Sequence, residues 1–197
     1  MAIYQLTVTL RGFAPPIWRR FQVRGDTALA GLHTVLQVVM GWQTTHLHAF
    51  RVGERQFEEP APDPWAVDGA PAEDESSVSL YEVAPDVGAR FLYEYDFGDS
   101  WEHDLVVEAV LPPAPQGRPP VCLDGARACP PEDCGSVPGY EEILYVLEHP
   151  EAIEKAAPDG DSVCESADAL WAWLPSGFEP TVFDRDGVNR QLAGIAR

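Results

Sequence analysis

Hydrophobic and polar side chains alternate along the first segment of this 197-residue chain. A period of two is typical of a strand with one buried face, so the alternation predicts a strand over residues 4–10. The same reasoning predicts further strands over residues 17–23 and 46–52. The apolar face of the first strand is formed by Tyr4, Leu6, Val8 and Leu10.

Helical spacing follows the second predicted strand and returns near the C-terminus. A helix is predicted from a cap at Asp26 or Thr27 to about Met40, where Gly41 can end it. Its apolar stripe consists of Leu29, Leu32, Leu36 and Val39. Three more helices are predicted at 139–148, at 166–174 with Ser166 as cap, and at 184–196. The pattern therefore predicts an α+β fold, in which a mixed, largely antiparallel sheet packs on helices and further helices follow at the C-terminus.

A hairpin is predicted over residues 91–110, where aromatic and acidic side chains alternate. A three-residue loop at 98–100 would pair Phe97 with Trp101 and Tyr95 with His103. This register places the apolar side chains on one face, as burial of that face requires.

The opposite face of the predicted hairpin is acidic. The register pairs Asp96 with Glu102 and Glu94 with Asp104. Like charges directly across two strands destabilise a sheet by up to about 1 kcal/mol per pair, so this face needs a cation. We expect Arg19 or Arg20 to supply it, with a bound divalent ion as the alternative.

Two segments interrupt the regular elements and set the expected domain organisation. Residues 58–77 are rich in Pro, Ala, Asp and Glu and predict a mobile loop without chemistry, whereas residues 111–120 hold five prolines and predict a stiff connector. We expect one α+β domain over residues 1–150, with residues 151–197 as a helical extension packed on it.

The net charge of −19 is unevenly distributed. Residues 1–57 hold six arginines and two acids, whereas the rest of the chain holds seven bases and thirty acids. An acidic body repels phosphate backbones, which argues against nucleic acid as a partner. With no apolar run long enough to span a membrane, no signal peptide and only four cysteines, we expect a cytoplasmic protein.

Three basic residues in the predicted strands are candidates for ligand binding. Arg19 shares its strand face with apolar side chains, and a guanidinium there needs a carboxylate or an anionic ligand. A structural ion pair or an edge position is the alternative. His46 and His48 stand two residues apart and could share one metal ion or anion, or could make ordinary hydrogen bonds at a sheet edge.

Three cysteines in a segment rich in Pro, Asp and Gly indicate a second candidate site. Cys122, Cys129 and Cys134 could form a zinc clip, although free structural cysteines fit the spacing equally well. The fourth ligand would be His103, His48, His149 or Cys164. If it were water, the site would be catalytic, with Glu132, Asp133 or His103 as general base.

Five ordered motifs resemble one protein family. They are PPIWRR (15–20), MGW (40–42), HLHAF (46–50), YEYDFGDSWEH (93–103) and CPPEDCG (129–135). Together with GFEPTVFDRDGVN (177–189), they resemble the plasmid pRiA4b ORF-3-like family, also labelled transposon-passenger TnpR-like. The resemblance implies a compact α+β fold with a mixed sheet, compatible with a β-grasp-like core, and an association with mobile elements. Gly135-Ser136 replaces a glycine pair of the family and Pro138 replaces an aromatic residue, which bears on the local backbone.

Two functions from different classes fit these observations. One is a binding or accessory module, stabilised by zinc, that holds a small anionic ligand or a protein partner. The other is a metal-dependent enzyme, most plausibly a hydrolase, and a deep pocket would favour it. The candidate ligand-binding residues are Arg19, Arg20, His46, His48, Asp96, Asp99 and His103, and the candidate metal ligands are Cys122, Cys129, Cys134 and His103.

Overall fold

A computed structural model describes residues 1–60, 72–113, 120–150 and 167–195. The strands are β1 (Ile3–Leu10), β2 (Ile17–Arg24), β3 (His48–Val52), β4 (Arg55–Glu58), β5 (Glu73–Asp74), β6 (Arg90–Tyr95), β7 (Trp101–Leu111) and β8 (Val121–Ala126). The helices are α1 (Leu29–Met40), α2 (Leu80–Val83), α3 (Ser136–Glu148), α4 (Ala167–Trp173) and α5 (Arg185–Ile195), with a 3₁₀ turn at Glu75–Ser77. None of the described helices is long and apolar enough to cross a membrane.

The eight strands form one sheet in the order β5-β4-β3-β6-β7-β1-β2-β8. Every neighbouring pair is antiparallel except β4 and β5, which are parallel. The predicted α+β fold, with a mixed and largely antiparallel sheet and C-terminal helices, is confirmed.

The core lies between one face of this sheet and α1. Leu6, Val8 and Leu10 of β1 are buried on that face, as their alternation predicts. The apolar stripe predicted for α1 is also buried. The predicted cap was wrong, because Ala28 precedes the helix without a side-chain hydrogen bond, while Asp26 accepts hydrogen bonds from Arg24.

The register predicted for the β6–β7 hairpin was wrong by two residues. Tyr95 lies opposite Trp101 and Tyr93 lies opposite His103. The turn spans residues 96–100, because Asp96 adopts a left-handed backbone (φ 57°) and its Oδ1 accepts the Gly98 N–H at 2.9 Å. A shift of two residues keeps the paired side chains on their predicted faces, so the aromatic side chains of the two strands are buried, whereas Phe97 lies in the turn and is exposed.

The acidic face of the sheet is neutralised by arginines other than those predicted. Arg11 binds Glu102 at 2.7 Å and Asp104 at 2.6 Å. Arg51 lies 2.6 Å from Glu94. The prediction that Arg19 or Arg20 pairs with these carboxylates was therefore wrong. The inference that this face needs cations was correct, but Arg11 and Arg51 supply them.

Arg20 neutralises a different acid on this face, Glu108 of β7. Its Nε lies 2.6 Å from Glu108 Oε2, and Gln5 and Thr7 of β1 also donate hydrogen bonds to this carboxylate. Chiefly because of the bond from Arg20, the pKa of Glu108 falls to about 2. Because the pKa is lower in the folded state, the ionised carboxylate stabilises the fold at pH values above its ordinary pKa of about 4.5.

The stabilisation from Glu108 should be lost as the pH falls from about 4.5 to about 2. We expect the free energy of unfolding of the wild type to exceed that of Glu108→Gln by roughly 1–2 kcal/mol at pH 7, and the difference to shrink toward zero at low pH. Urea titrations of both proteins across this range measure it, with the more exposed Glu102→Gln as control. A difference that stays constant with pH would contradict the assignment.

Part of the segment predicted to be a mobile loop without chemistry is regular structure. Glu58 ends β4 and pairs beside Asp74 of β5, and the 3₁₀ turn that follows buries Glu75. The prediction was wrong for this part because it relied on the average composition of the segment. Composition does not reveal that one carboxylate, that of Glu75, is buried. Residues 61–71 of this segment, and residues 114–119 of the predicted connector, lie outside the described residues.

The C-terminal helix α5 packs against β8, the outermost strand on that side of the sheet. Asn189 Oδ1 accepts the Cys122 N–H at 2.8 Å, and its Nδ2 donates to the Cys122 carbonyl at 2.9 Å. Leu192 is fully buried in the core. Cys122 thus lies in a paired strand and not in the turn-rich loop predicted for it. The predicted cap Ser166 and residue Ala196 lie outside the described residues.

Candidate functional site

Three loops meet at one end of the sheet: residues 41–47 after α1, the hairpin turn 96–100, and residues 127–135 before α3, to which we add Ser136 as the first residue of that helix. The described part of the chain has six non-glycine residues with a left-handed backbone, and all six lie in these loops. They are Thr44, Asp96, Ser100, Arg127, Asp133 and Ser136. Such backbone costs energy and concentrates at functional sites, so the three loops are the first place to look for one.

Carboxylate groups from two of these loops converge on His46 in the third. The His46 Nε2 atom lies 3.1 Å from Asp133 Oδ1, 3.7 Å from Asp96 Oδ2 and 3.8 Å from Glu132 Oε2. Ligand atoms of His46, Asp96 and Asp133 all lie within 4.8 Å of one another. We call His46, Asp96, Glu132 and Asp133 the His46 group.

Only one of the two carboxylate oxygens of Glu132 is fixed by hydrogen bonds. Its Oε1 accepts hydrogen bonds from the Gln43 N–H at 2.8 Å and from the Tyr95 hydroxyl at 3.0 Å. Its Oε2 is sealed from solvent and makes no hydrogen bond. His46 Nε2 is sealed as well and makes no hydrogen bond of regular geometry, although Asp133 Oδ1 lies 3.1 Å away. Glu132 Oε2 and His46 Nε2 lie 3.8 Å apart.

The charge of the His46 group is unbalanced. Three carboxylates surround one imidazole, which even when protonated neutralises only one of them. Two like charges about 4 Å apart near a protein surface repel by on the order of 4 kcal/mol. A divalent ion with bonds of about 2.1 Å would hold neighbouring ligand atoms roughly 3–3.5 Å apart, close to the spacing found here. The arrangement is therefore suited to a cation.

His48 lies apart from the His46 group, because β3 begins only at His48 and His46 belongs to the loop before it. The Nε2 atom of His48 lies 2.8 Å from Oε2 of the buried Glu75. The group of metal-binding side chains that contains His46 does not include His48, although both histidines line one cavity. That the two share one metal ion or anion stays a prediction. The sequence reasoning also missed Glu75, since nothing local distinguishes it from neighbouring acids.

A second imidazole, His33 of α1, stacks on His48 with ring centroids 3.5 Å apart. Its Nδ1 lies 2.8 Å from the Tyr93 hydroxyl, which also accepts a hydrogen bond from Gln37. The Thr44 N–H donates to the Gln37 side-chain oxygen, which orients the amide so that its nitrogen donates to the Tyr93 hydroxyl. Burial, then the neighbouring His48, lowers the pKa of His33 to about 3, so this ring is neutral.

A cavity of about 490 Å³ lies beside the His46 group. His46 forms part of its wall, together with His33, His48 and Glu75. Two apolar side chains, Leu47 and Phe97, are exposed and also line it. The cavity is large enough for a small organic molecule.

The remaining predicted ligand residues lie elsewhere. Asp99 accepts the Gly135 N–H at 3.1 Å and its carbonyl accepts the Ser136 hydroxyl, so it ties the hairpin turn to α3. His103 is fully buried, with Nδ1 3.2 Å from the Tyr93 carbonyl and Nε2 without a partner. Burial lowers the pKa of His103 to about 4. Arg19 is buried against the last turn of α1, where its Nε donates to the Val39 carbonyl, and Arg20 pairs with Glu108.

The three cysteines are buried and free. Burial raises the pKa of Cys122 to about 11 and that of Cys134 to about 12, and it raises the pKa of Cys129 as well, so the thiols are protonated near neutral pH. Within the described ranges, no group of three metal-binding side chains includes a cysteine. Cys164 lies outside those ranges. The zinc clip stays a prediction.

Comparison with known proteins shows three similarities. The family model described as "Plasmid pRiA4b ORF-3-like protein" matches residues 2–187. Uncharacterized protein y4hQ of Sinorhizobium fredii (strain NBRC 101917 / NGR234) is 39% identical over 150 residues, which cover 76% of this chain and 75% of that protein. The crystal structure of the protein of unknown function MM3350 from Methanosarcina mazei Go1 has a TM-score of 0.75 at 31% identity, covering 94% of this chain and 96% of that one.

Proposed function

This chain belongs to the plasmid pRiA4b ORF-3-like family. Because the descriptions of the similar proteins name no reaction, we propose a function from the geometry of the His46 group itself. The protein binds one divalent transition-metal ion there and acts as a metal-dependent hydrolase. The observation that carries this proposal is the convergence of three carboxylates on one imidazole nitrogen beside a cavity. This is the second of the two functions considered from the sequence.

The ion is held by His46 Nε2, Asp96 Oδ2 and Asp133 Oδ1, which come from three different loops. A mixed set of one nitrogen and two oxygen ligands suits zinc or manganese better than magnesium or copper. Three protein ligands leave a position for water and substrate, which distinguishes a catalytic site from a closed structural one.

Glu132 is suited to serve as the general base. Its Oε1 is fixed by two donors while Oε2 is unpaired and close to the ion's ligands. A divalent ion at this site would make a water molecule a better nucleophile toward a carbonyl carbon. Glu132 would accept the proton that this water gives up and return it to the alcohol or amine that leaves as the ester or amide bond breaks. Because Glu75, Glu58 and Glu59 line the cavity, an uncharged or cationic ester or amide is the expected substrate.

Metal titration of the full chain tests the site. Zinc and manganese should each bind with a stoichiometry of one, and Asp96→Asn or Asp133→Asn should weaken binding by roughly 10–100-fold. Glu132→Gln should bind the metal but lose hydrolysis of p-nitrophenyl acetate or leucine p-nitroanilide. Asp104→Asn, an acid of the same hairpin that pairs with Arg11, is the matched control and should change neither.

The stability of Asp133→Asn gives an independent readout. In excess chelator this variant should be more stable than the wild type by about 0.5–1 kcal/mol, because it relieves repulsion and because asparagine tolerates the left-handed backbone (φ 57°). In excess zinc the order should reverse, since only the wild type gains binding energy. The same order in both conditions would contradict the site. Loss of binding in Cys129→Ser but not in Asp96→Asn would indicate the zinc clip instead.

A further inference from the structure

A second cavity, whose lining shares no residue with the His46 group, is lined by a buried cation. Arg19 of β2 is only 1% exposed, yet within the described residues no carboxylate lies at ion-pair distance from it. A buried charge without an opposite charge is costly, because the protein interior solvates it poorly. Arg19 therefore needs an explanation beyond packing.

Most of the donors of Arg19 are used by backbone carbonyl groups. Nε donates to the Val39 carbonyl at 2.8 Å, and Nη1 donates to those of Trp18 and Ala126 at 2.8 Å each. Val39 lies in the last turn of α1, where the helix dipole favours a cation. These bonds fix the position of the guanidinium, and none of them uses Nη2.

The guanidinium also lines a cavity of about 260 Å³. The Phe183 ring covers one face of it, with its centroid 4.0 Å from Cζ. A side chain at position 125 would come within 2.8 Å of both Arg19 and Phe183, so Gly125 permits this stack. The other walls are largely apolar and include Val39, Met40, Pro130, Phe178, Val182 and Val188.

We propose that this cavity binds a short-chain monocarboxylate, with one carboxylate oxygen on Arg19 Nη2 and the alkyl tail against the apolar walls. The anion would supply the missing negative charge and an acceptor for Nη2 at once. A phosphate dianion fits less well, because Arg19 is the cation of the lining and Asp184 adds a negative charge there. The volume is sufficient for a tail of a few carbons.

Titration of the full chain with isovalerate, followed by amide chemical shifts in excess chelator, tests this proposal without involving a metal. The amides of Gly125 and Gly187 should shift and saturate. Isovaleramide, which has the same shape without the charge, should bind at least tenfold more weakly, since a bond to a charged group is lost. Inorganic phosphate should also bind more weakly, because it lacks the tail.

Two variants at the rim report on the cavity with little risk to folding. Asp184→Asn removes the opposing charge but keeps an acceptor for the Gly187 N–H, and it should tighten binding about threefold. Val182, which is 55% exposed, can be replaced by phenylalanine to narrow the opening, and Val182→Phe should weaken binding. Arg19→Lys should abolish it. Equal affinity for isovaleramide, equal affinity for phosphate, or no effect of either rim variant would overturn the proposal.

Discussion

Replacing Arg19 with methionine is expected to lower the free energy of unfolding by about 3–5 kcal/mol. Methionine has a similar length and fills the space, but it removes the side-chain donor from three backbone carbonyl groups, of which that of Val39 is buried and those of Trp18 and Ala126 are partly buried. Each unpaired buried acceptor costs about 1–3 kcal/mol, partly offset by relief of the buried charge. Chemical denaturation of both proteins measures the difference.

The adjacent Arg20 provides a matched control for this experiment. Its guanidinium lies on the polar face of the same strand and pairs with Glu108. Because this pair is partly exposed, Arg20→Met should cost only about 0.5–1 kcal/mol. Similar losses for the two variants would mean that Arg19 contributes no more than an ordinary surface arginine, contrary to our account.

Trp42→Ala is expected to be comparably severe, with a loss of about 3–5 kcal/mol. The indole is buried among the rings of Tyr95, Trp101 and His103, with centroids 4.8, 6.2 and 5.1 Å away. Its Nε1 donates to the Pro130 carbonyl at 3.0 Å. Thermal and urea unfolding measure the loss, and Trp171→Ala, at a position that is 55% exposed, should stay within about 0.5 kcal/mol of the wild type.

Trp42→Phe separates the packing of the ring from its hydrogen bond. Phenylalanine keeps an aromatic ring in the core but cannot donate a hydrogen bond to the carbonyl of Pro130, which lies two residues before Glu132. We therefore expect a small loss of stability together with a measurable loss of metal affinity. Unchanged metal affinity would show that this bond does not position the loop of the His46 group.

The alternation of side chains was sufficient to predict the faces of the strands. Arg19 was predicted on an apolar face and is buried there, although its partners are carbonyl groups and not a carboxylate. The hairpin register was wrong because Asp96 closes the turn with its own side chain, which spacing alone does not reveal. The alternation of side chains along a strand therefore predicts the face of the sheet on which a residue lies better than it predicts the residue's partner.

The candidate site was less predictable because its members come from three loops. His46 and Asp96 were candidate ligands, while Glu132 and Asp133 were considered only as bases next to the cysteines. The chain separates His46 from Asp133 by more than eighty residues, and the loop conformations bring them together. One signal in the sequence could have indicated the site. Asp96, Glu132 and Asp133 all lie in turn motifs, and loop residues held by a rigid scaffold often carry function.

The amide of Asn189 acts on β8 as a neighbouring strand would, since it satisfies both backbone groups of Cys122. Unpaired strand edges are templates for pairing between molecules, and proteins commonly cover them with a helix or loop. Because helix α5 covers this edge, we expect it to hinder pairing of β8 with a strand of a neighbouring copy. The helix contributes no residue to the His46 group, so its expected role is to keep the sheet from extending between molecules and thereby to limit aggregation.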